Sequence, residues 1–282
     1  MLSTSLLFPF GVQMNKKQRE EDRISQLKAK KRRLQLTLFP TMAVLIVIVL
    51  IVGGILPIGN PFHSGTTPSF SPPRVLPWGS FAQISDSNFG THVNVYYVSW
   101  YGCPLGAADS WGFYLALQHY GNVSMAYPST HYSNANDIYP DTPGLIFYQE
   151  MITNNLTFTP IYLYNQTMTG TTQNVPITGS LLSYGLNETA SVMPSSVASY
   201  EKDAMTSVPT QGFNGPTGEV NGHVNTNIII TGPNGAWILN GPLFSPSNLK
   251  GDKSSTLLTN ASSITYFINA ENAIMKVIGE TQ

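Results

Sequence analysis

YYVSWYGCPLGAADSWGFYLALQHYG, Tyr96 to Gly121, carries the one cysteine of the 282-residue chain. Its first part belongs to a Val- and Tyr-rich run, His92 to Trp100, that reads as a strand. Its second part, Pro104 to His119, reads as a helix, with proline in the first turn where no amide partner is needed. A strand that ends at Cys-Pro and passes at once into a helix is a setting for a pair of cysteines. Here Cys103 stands alone, and Gly106 occupies the place of the second thiol.

Around this core, further elements follow from periodicity and punctuation. Asn122–Tyr127 and Phe158–Asn165 read as strands, and Ser195–Met205 as a helix. NIIIT and AWILNG flank Gly232-Pro233-Asn234-Gly235 and predict a hairpin with Asn-Gly as its turn signal. Ser262–Gly279 reads as a closing helix on Ile264, Phe267, Ile268, Ile274, Val277 and Ile278. Between Ser129 and Val192 the chain is rich in Tyr, Thr, Asn and Pro and reads as a long insertion. The order of elements is that of a layered α/β fold.

The charge is divided sharply. Nine of the 14 Lys and Arg lie between Lys16 and Arg33, opposed there only by Glu20, Glu21 and Asp22. The remainder holds five basic and twelve acidic side chains, so the overall net charge of −1 hides the split. Leu34 to Pro73 contains no Asp, Glu, Lys or Arg, and Thr41–Ile58 is almost wholly apolar. With the apolar residues before it, this run reaches the ~20 residues of a spanning helix. The basic flank then places the N-terminus in the cytoplasm and the rest outside. GGILPIGNP offers no convincing cleavage site, so the reading is an uncleaved single-pass anchor. Met14 reads as a natural start.

The expected organisation is therefore four parts. Residues 1–33 are a basic cytoplasmic segment, 34–58 a transmembrane helix, 59–77 a Pro/Ser/Thr-rich stalk and 78–282 an extracytoplasmic domain. Nucleic acid is not an expected partner, because the basic run is short, mixed with acids and beside the apolar span. The expected partners are the membrane and another envelope protein. Five Asn-x-Ser/Thr sequons, at Asn122, Asn155, Asn165, Asn187 and Asn260, are glycosylation candidates on the outer side.

Cys103-Pro104, Ala107-Ala108-Asp109, Trp111 and Gly121, followed by YPSTHYSNANDIYPDTPGLIFYQE, resemble an archaeal family of membrane-anchored, thioredoxin-like proteins, domain of unknown function 929. The resemblance runs from about Val93 to Ile278 and implies a thioredoxin-like sheet-and-helix domain with a long insertion. Two places depart from it. Gly106 replaces the partner cysteine, and near Asn225 the proline that a thioredoxin-like fold sets opposite its thiol is missing, which implies a rebuilt loop.

Cys103 is the candidate catalytic residue. A helix N-terminus favours its thiolate, yet a single thiol cannot resolve a mixed disulfide without an external one. A buried remnant is the competing reading. His119 stands sixteen residues away, ~24 Å along a helix; His92 and His223 flank the motif strand and the rebuilt loop. Asp109 reads as a first-turn, dipole-paired carboxylate and Trp111 as core. The histidines lack metal-ligand spacing and LKGDKSS lacks a phosphate-loop pattern, so neither metal nor cofactor is expected. The favoured expectation is a redox-degenerate, non-catalytic binding or scaffold protein. The alternative is a monothiol oxidoreductase or peroxide-reducing enzyme of the envelope. Replacing Gly106 by Cys is expected to allow a disulfide, since two positions three apart at a helix start can meet the geometric limits. With few cations outside the basic run, tolerance of an acidic exterior is expected.

Overall fold

The computed structural model describes residues 70–282. The basic segment, the expected transmembrane helix, Met14 and most of the stalk lie outside the described residues. Among the described residues no helix is long and apolar enough to cross a membrane.

The expected strand forms as β2 (Val93–Ser99), and β-branched and aromatic side chains fill both of its faces. It lies inside a six-stranded mixed sheet. β6 (Leu156–Tyr162) runs parallel to it, from Val93 opposite Leu156 to Ser99 opposite Tyr162. β7 (Asn227–Gly232) runs antiparallel on its other side and turns back into β8 (Gly235–Asn240). β1 (Phe81–Ser85) closes the β8 edge and the two-residue β5 (Met151–Ile152) the β6 edge. The sheet order is β1-β8-β7-β2-β6-β5. β3 (Pro128–Tyr132) and β4 (Pro143–Phe147) pair as a separate ribbon.

Helices cover both faces. α1 (Pro104–Gln118) and α6 (Thr265–Thr281) share one core with Val93, Val95 and Tyr97, while α2 (Leu181–Val192) and α3 (Ser195–Thr206) share the other with Tyr96 and Val98. This period of two sends alternate side chains of one strand to opposite layers. Short helices α4 (Thr217–Asn221) and α5 (Ser254–Asn260) complete the set. α1 is buried nearly all round, as a helix enclosed by sheet, ribbon and α6 must be. A Cβ on Gly112 would meet Ala270 Cβ at 2.7 Å, and one on Gly144 would meet Ala107 Cβ at 2.6 Å. These two glycines let α6 and the ribbon seat against α1.

Four expectations change. Asn122–Tyr127 is no strand: Val123–Ala126 is a 3-10 turn, because the Asn122 side chain accepts from Ser124 N–H and Tyr127 is left-handed. The stretch read as an insertion supplies β3 to β6 and α2, so it builds half of the strands. α2 escaped notice because it buries only Leu182, Gly185 and Thr189. The hairpin turns on Pro233-Asn234, with Gly232 paired to Gly235. Proline fixes φ near −65°, which the Asn-Gly type of turn cannot use at that position.

Candidate functional site

Cys103 caps the N-terminus of α1 and is buried. Opposite it runs the segment entering β7. Thr226 donates its hydroxyl to Cys103 Sγ at 2.9 Å, and Ser99 Oγ lies 2.9 Å from the same hydroxyl oxygen. Since Thr226 gives its proton to sulfur, Ser99 supplies the donor on the other side. A chain Ser99–Thr226–Cys103 therefore occupies the ground where a second thiol would sit. This packing opposes the disulfide expected on Gly106→Cys: a Cβ at position 106 would collide with Ser99 Oγ, which has to turn away, and stand 3.2 Å from Thr226 Oγ1.

Burial pushes the Cys103 thiol up, against a smaller opposing pull from the Gly106 amide, the Thr226 hydroxyl and the Leu105 amide. Desolvation outweighs the helix terminus, so the thiol is neutral at neutral pH, contrary to the expected thiolate. No histidine bonds Sγ among the described residues. His119 pairs with Glu271 at 2.6 Å at the far end of α1, and His92 meets Thr157 Oγ1 at 3.0 Å at the opposite end of β2. His223 does reach the site, lining a cleft with Cys103, and burial lowers its pKa. His131, which sequence reasoning passed over, contacts the Tyr101 carbonyl, and burial lowers its pKa too.

The cleft beside Cys103 holds about 330 Å³ and is walled by Trp100, Leu105, Asp137, Tyr139 and Asn225. It shares Leu105, Ile138, Tyr139, Asn221 and Asn225 with a second hollow of about 600 Å³, which continues to Trp78, Phe213 and Phe244. The two form one groove with aromatic walls and amide-bearing edges. The Asn134–Tyr139 loop overhangs it, anchored by Asn134 N–H to the Gly102 carbonyl at 2.9 Å, and Ile138 stands 84% exposed at its rim. Asn225 Nδ2 is buried without a hydrogen-bond partner among the described residues. An unpaired buried donor beside a groove is hydrogen-bonding capacity that the fold itself leaves unused.

Two buried carboxyl groups support the walls. Asp109 is not the expected first-turn, dipole-paired group: it is fully buried, accepts from Leu243 N–H at 2.8 Å and so holds the Pro242–Phe244 wall. Burial raises its pKa well above the usual carboxylate range, opposed by that amide. Glu201 on α3 accepts from Asn227 Nδ2 at 2.9 Å, and burial raises it to about 7. A long-range partner is what exposes these roles, and neither carboxylate carries a local sequence signal. Trp111 is core as expected, with its indole N–H on the Pro143 carbonyl at 2.9 Å and its ring stacked on Phe267. Of the sequons, Asn122, Asn155, Asn187 and Asn260 are exposed. Asn165 is buried, with its amide on Thr169 Oγ1 and Asn174 Oδ1. Among the described residues no three His, Cys, Asp or Glu side chains are grouped to hold a metal ion.

A mixed α/β domain with one occluded thiol beside an aromatic groove is the class the geometry defines. Residues 80–280 match the family described as Domain of unknown function (DUF929), and the chain belongs to that family. Comparison with curated proteins and with solved structures found no match.

Proposed function

We propose that the chain is a membrane-anchored, extracytoplasmic thioredoxin-like domain whose redox motif has degenerated, and that it serves as a non-catalytic binding or scaffold protein through the groove beside Cys103. The observation that carries this reading is the closed thiol: Thr226 bonds its sulfur, Ser99 fills the partner's place and burial keeps it protonated. Support for a thioredoxin-like descent comes from the order β8-β7-β2-β6, with β2 and β6 parallel and α1 directly after β2. Support for the anchor comes from the uncharged span and its basic flank. The proposed partner is another envelope protein, engaged by the aromatic walls and amide edges.

Alkylation of Cys103 in the folded full chain at neutral pH tests the reading. The expected result is a thiol modified far more slowly in the folded chain than after denaturant is added. Rapid modification would favour the monothiol enzyme instead, whose cycle needs an external thiol.

A further inference from the structure

Glu201 projects from α3 to the start of β7 and is fully buried there. Its Oε1 already accepts from Asn227 Nδ2. Two buried oxygens remain at the same junction, Glu201 Oε2 and Asn227 Oδ1, each without a partner among the described residues. With Glu201 ionised both are acceptors, and each keeps the desolvation cost of an unmade bond. One proton on Oε2 removes both deficits, because a carboxylic acid and a carboxamide each offer one donor and one acceptor. Asn227 also reaches onward. Its Nδ2 donates to the Asn225 carbonyl at 3.1 Å, and Asn225 lines the groove while Thr226, between them, holds Cys103.

We propose that Glu201 and Asn227 form a proton-operated latch: the protonated acid closes a reciprocal pair that holds Asn225–Asn227 against Cys103, and loss of the proton turns Oε2 against Asn227 Oδ1 and frees that wall of the groove. The latch stands on these two side chains whatever the groove binds. Its surroundings leave the carboxyl without a counter-charge. Tyr164, beyond the end of β6, is the neighbour whose phenol senses the Glu201 charge, and it stays neutral because burial raises it. Tyr96 on β2, Tyr184 and Glu188 on α2, Tyr200, Lys202 and Asp203 on α3, Glu219 on α4 and His223 beyond it are the other titratable groups on the surrounding elements. None makes an ion pair or hydrogen bond with Glu201 among the described residues. Burial accordingly brings the acid to about 7, so the latch works across the neutral range.

The test compares iodoacetamide modification of Cys103 in the full chain and in its Glu201→Gln variant at about pH 5.5, 7 and 8.5. Glutamine keeps the pair without a titrating proton, because its Nε2 donates to Asn227 Oδ1 and its Oε1 accepts. Dividing the wild-type rate by the variant's cancels the thiolate fraction common to both. A ratio near one at the acidic end that rises about threefold or more at the alkaline end is expected; a flat ratio overturns the latch. Absolute rates test thiol reactivity and the ratio tests the latch, so the two proposals fail separately. If Glu201→Gln does not fold, amide exchange on the wild type decides. Corrected for intrinsic rates, exchange at Val224–Ile228 must accelerate against Gly235–Asn240 between the acidic and alkaline conditions, and equal behaviour of the two segments overturns the proposal.

Discussion

Gly106→Ala places the packing around Cys103 under direct test, because two effects oppose each other in sign. Gly106 is the third residue of α1. In an open helix, replacing glycine by alanine stabilises by about 1 kcal/mol. Here the added Cβ collides with Ser99 Oγ and lies 3.1 Å from Ser99 Cβ, inside ordinary contact. Ser99 must turn away and give up its bond to Thr226, a loss of about 0.5–1.5 kcal/mol. Overpacking of the surrounding core adds about 1–3 kcal/mol. The net expectation is a destabilisation of about 1–3 kcal/mol, or roughly 5 °C in Tm for a domain of this size. Gly279→Ala is the matched control: it lies in α6, and nothing stands within 4 Å of a Cβ there, so it should stabilise. Thermal melts of the full chain, followed by near-ultraviolet dichroism, compare Gly106→Ala, Gly279→Ala, Ser99→Ala and the double variant Ser99→Ala with Gly106→Ala. The double variant should lose less than the two single losses added, since Ser99→Ala removes the hydroxyl that the new Cβ strikes. Equal stabilisation by Gly106→Ala and Gly279→Ala would refute the filled-site reasoning.

The buried carboxyls set a pH response. Glu201 rises from an ordinary value of 4.5 to about 7, and Asp109 also rises well above its ordinary range, so the folded state holds protons that the unfolded chain releases. Their stabilisation is full below the unfolded values and is lost as pH climbs through the folded ones. For Glu201 alone the loss between about pH 4.5 and about pH 7 is on the order of 3 kcal/mol. His131 and His223, both lowered by burial, oppose this as they charge in acid. Melts should therefore show greater stability near pH 5 than near pH 8, and the reverse slope would refute the assignment. Glycopeptide mapping is expected to find no glycan on Asn165 in the folded protein, while Asn165→Ala costs about 1–3 kcal/mol through its lost buried bonds; occupancy at Asn165 would contradict the placement. Protease added to intact cells should remove the domain and leave a membrane-bound stub, and complete protection would reverse the proposed orientation.

Local pattern alone made β2, α1, the β7–β8 hairpin and α6 legible: the strands as short β-branched and aromatic runs, α1 by the proline in its first turn, and α6 by the apolar period of its buried face. The N-terminal split into a basic run and an uncharged span is likewise a property of sequence order. The site was legible only as far as its odd residue: Cys103 and the glycine three places on mark where chemistry is missing. Why it is missing depends on side chains far apart in the chain. Thr226 meets a cysteine 123 residues before it, Asp109 meets an amide 134 residues after it, and Asn227 meets Glu201 across 26 residues. Even the helix-terminus argument for a thiolate reversed, because burial is a sum over neighbours that no single segment contains. Sequence order determined which elements form and where the thiol stands. Only tertiary packing decided that the thiol is closed, that two carboxyls are buried under a groove and that the polar middle of the chain supplies half of the strands, because desolvation and long-range hydrogen bonds exist only once distant segments meet.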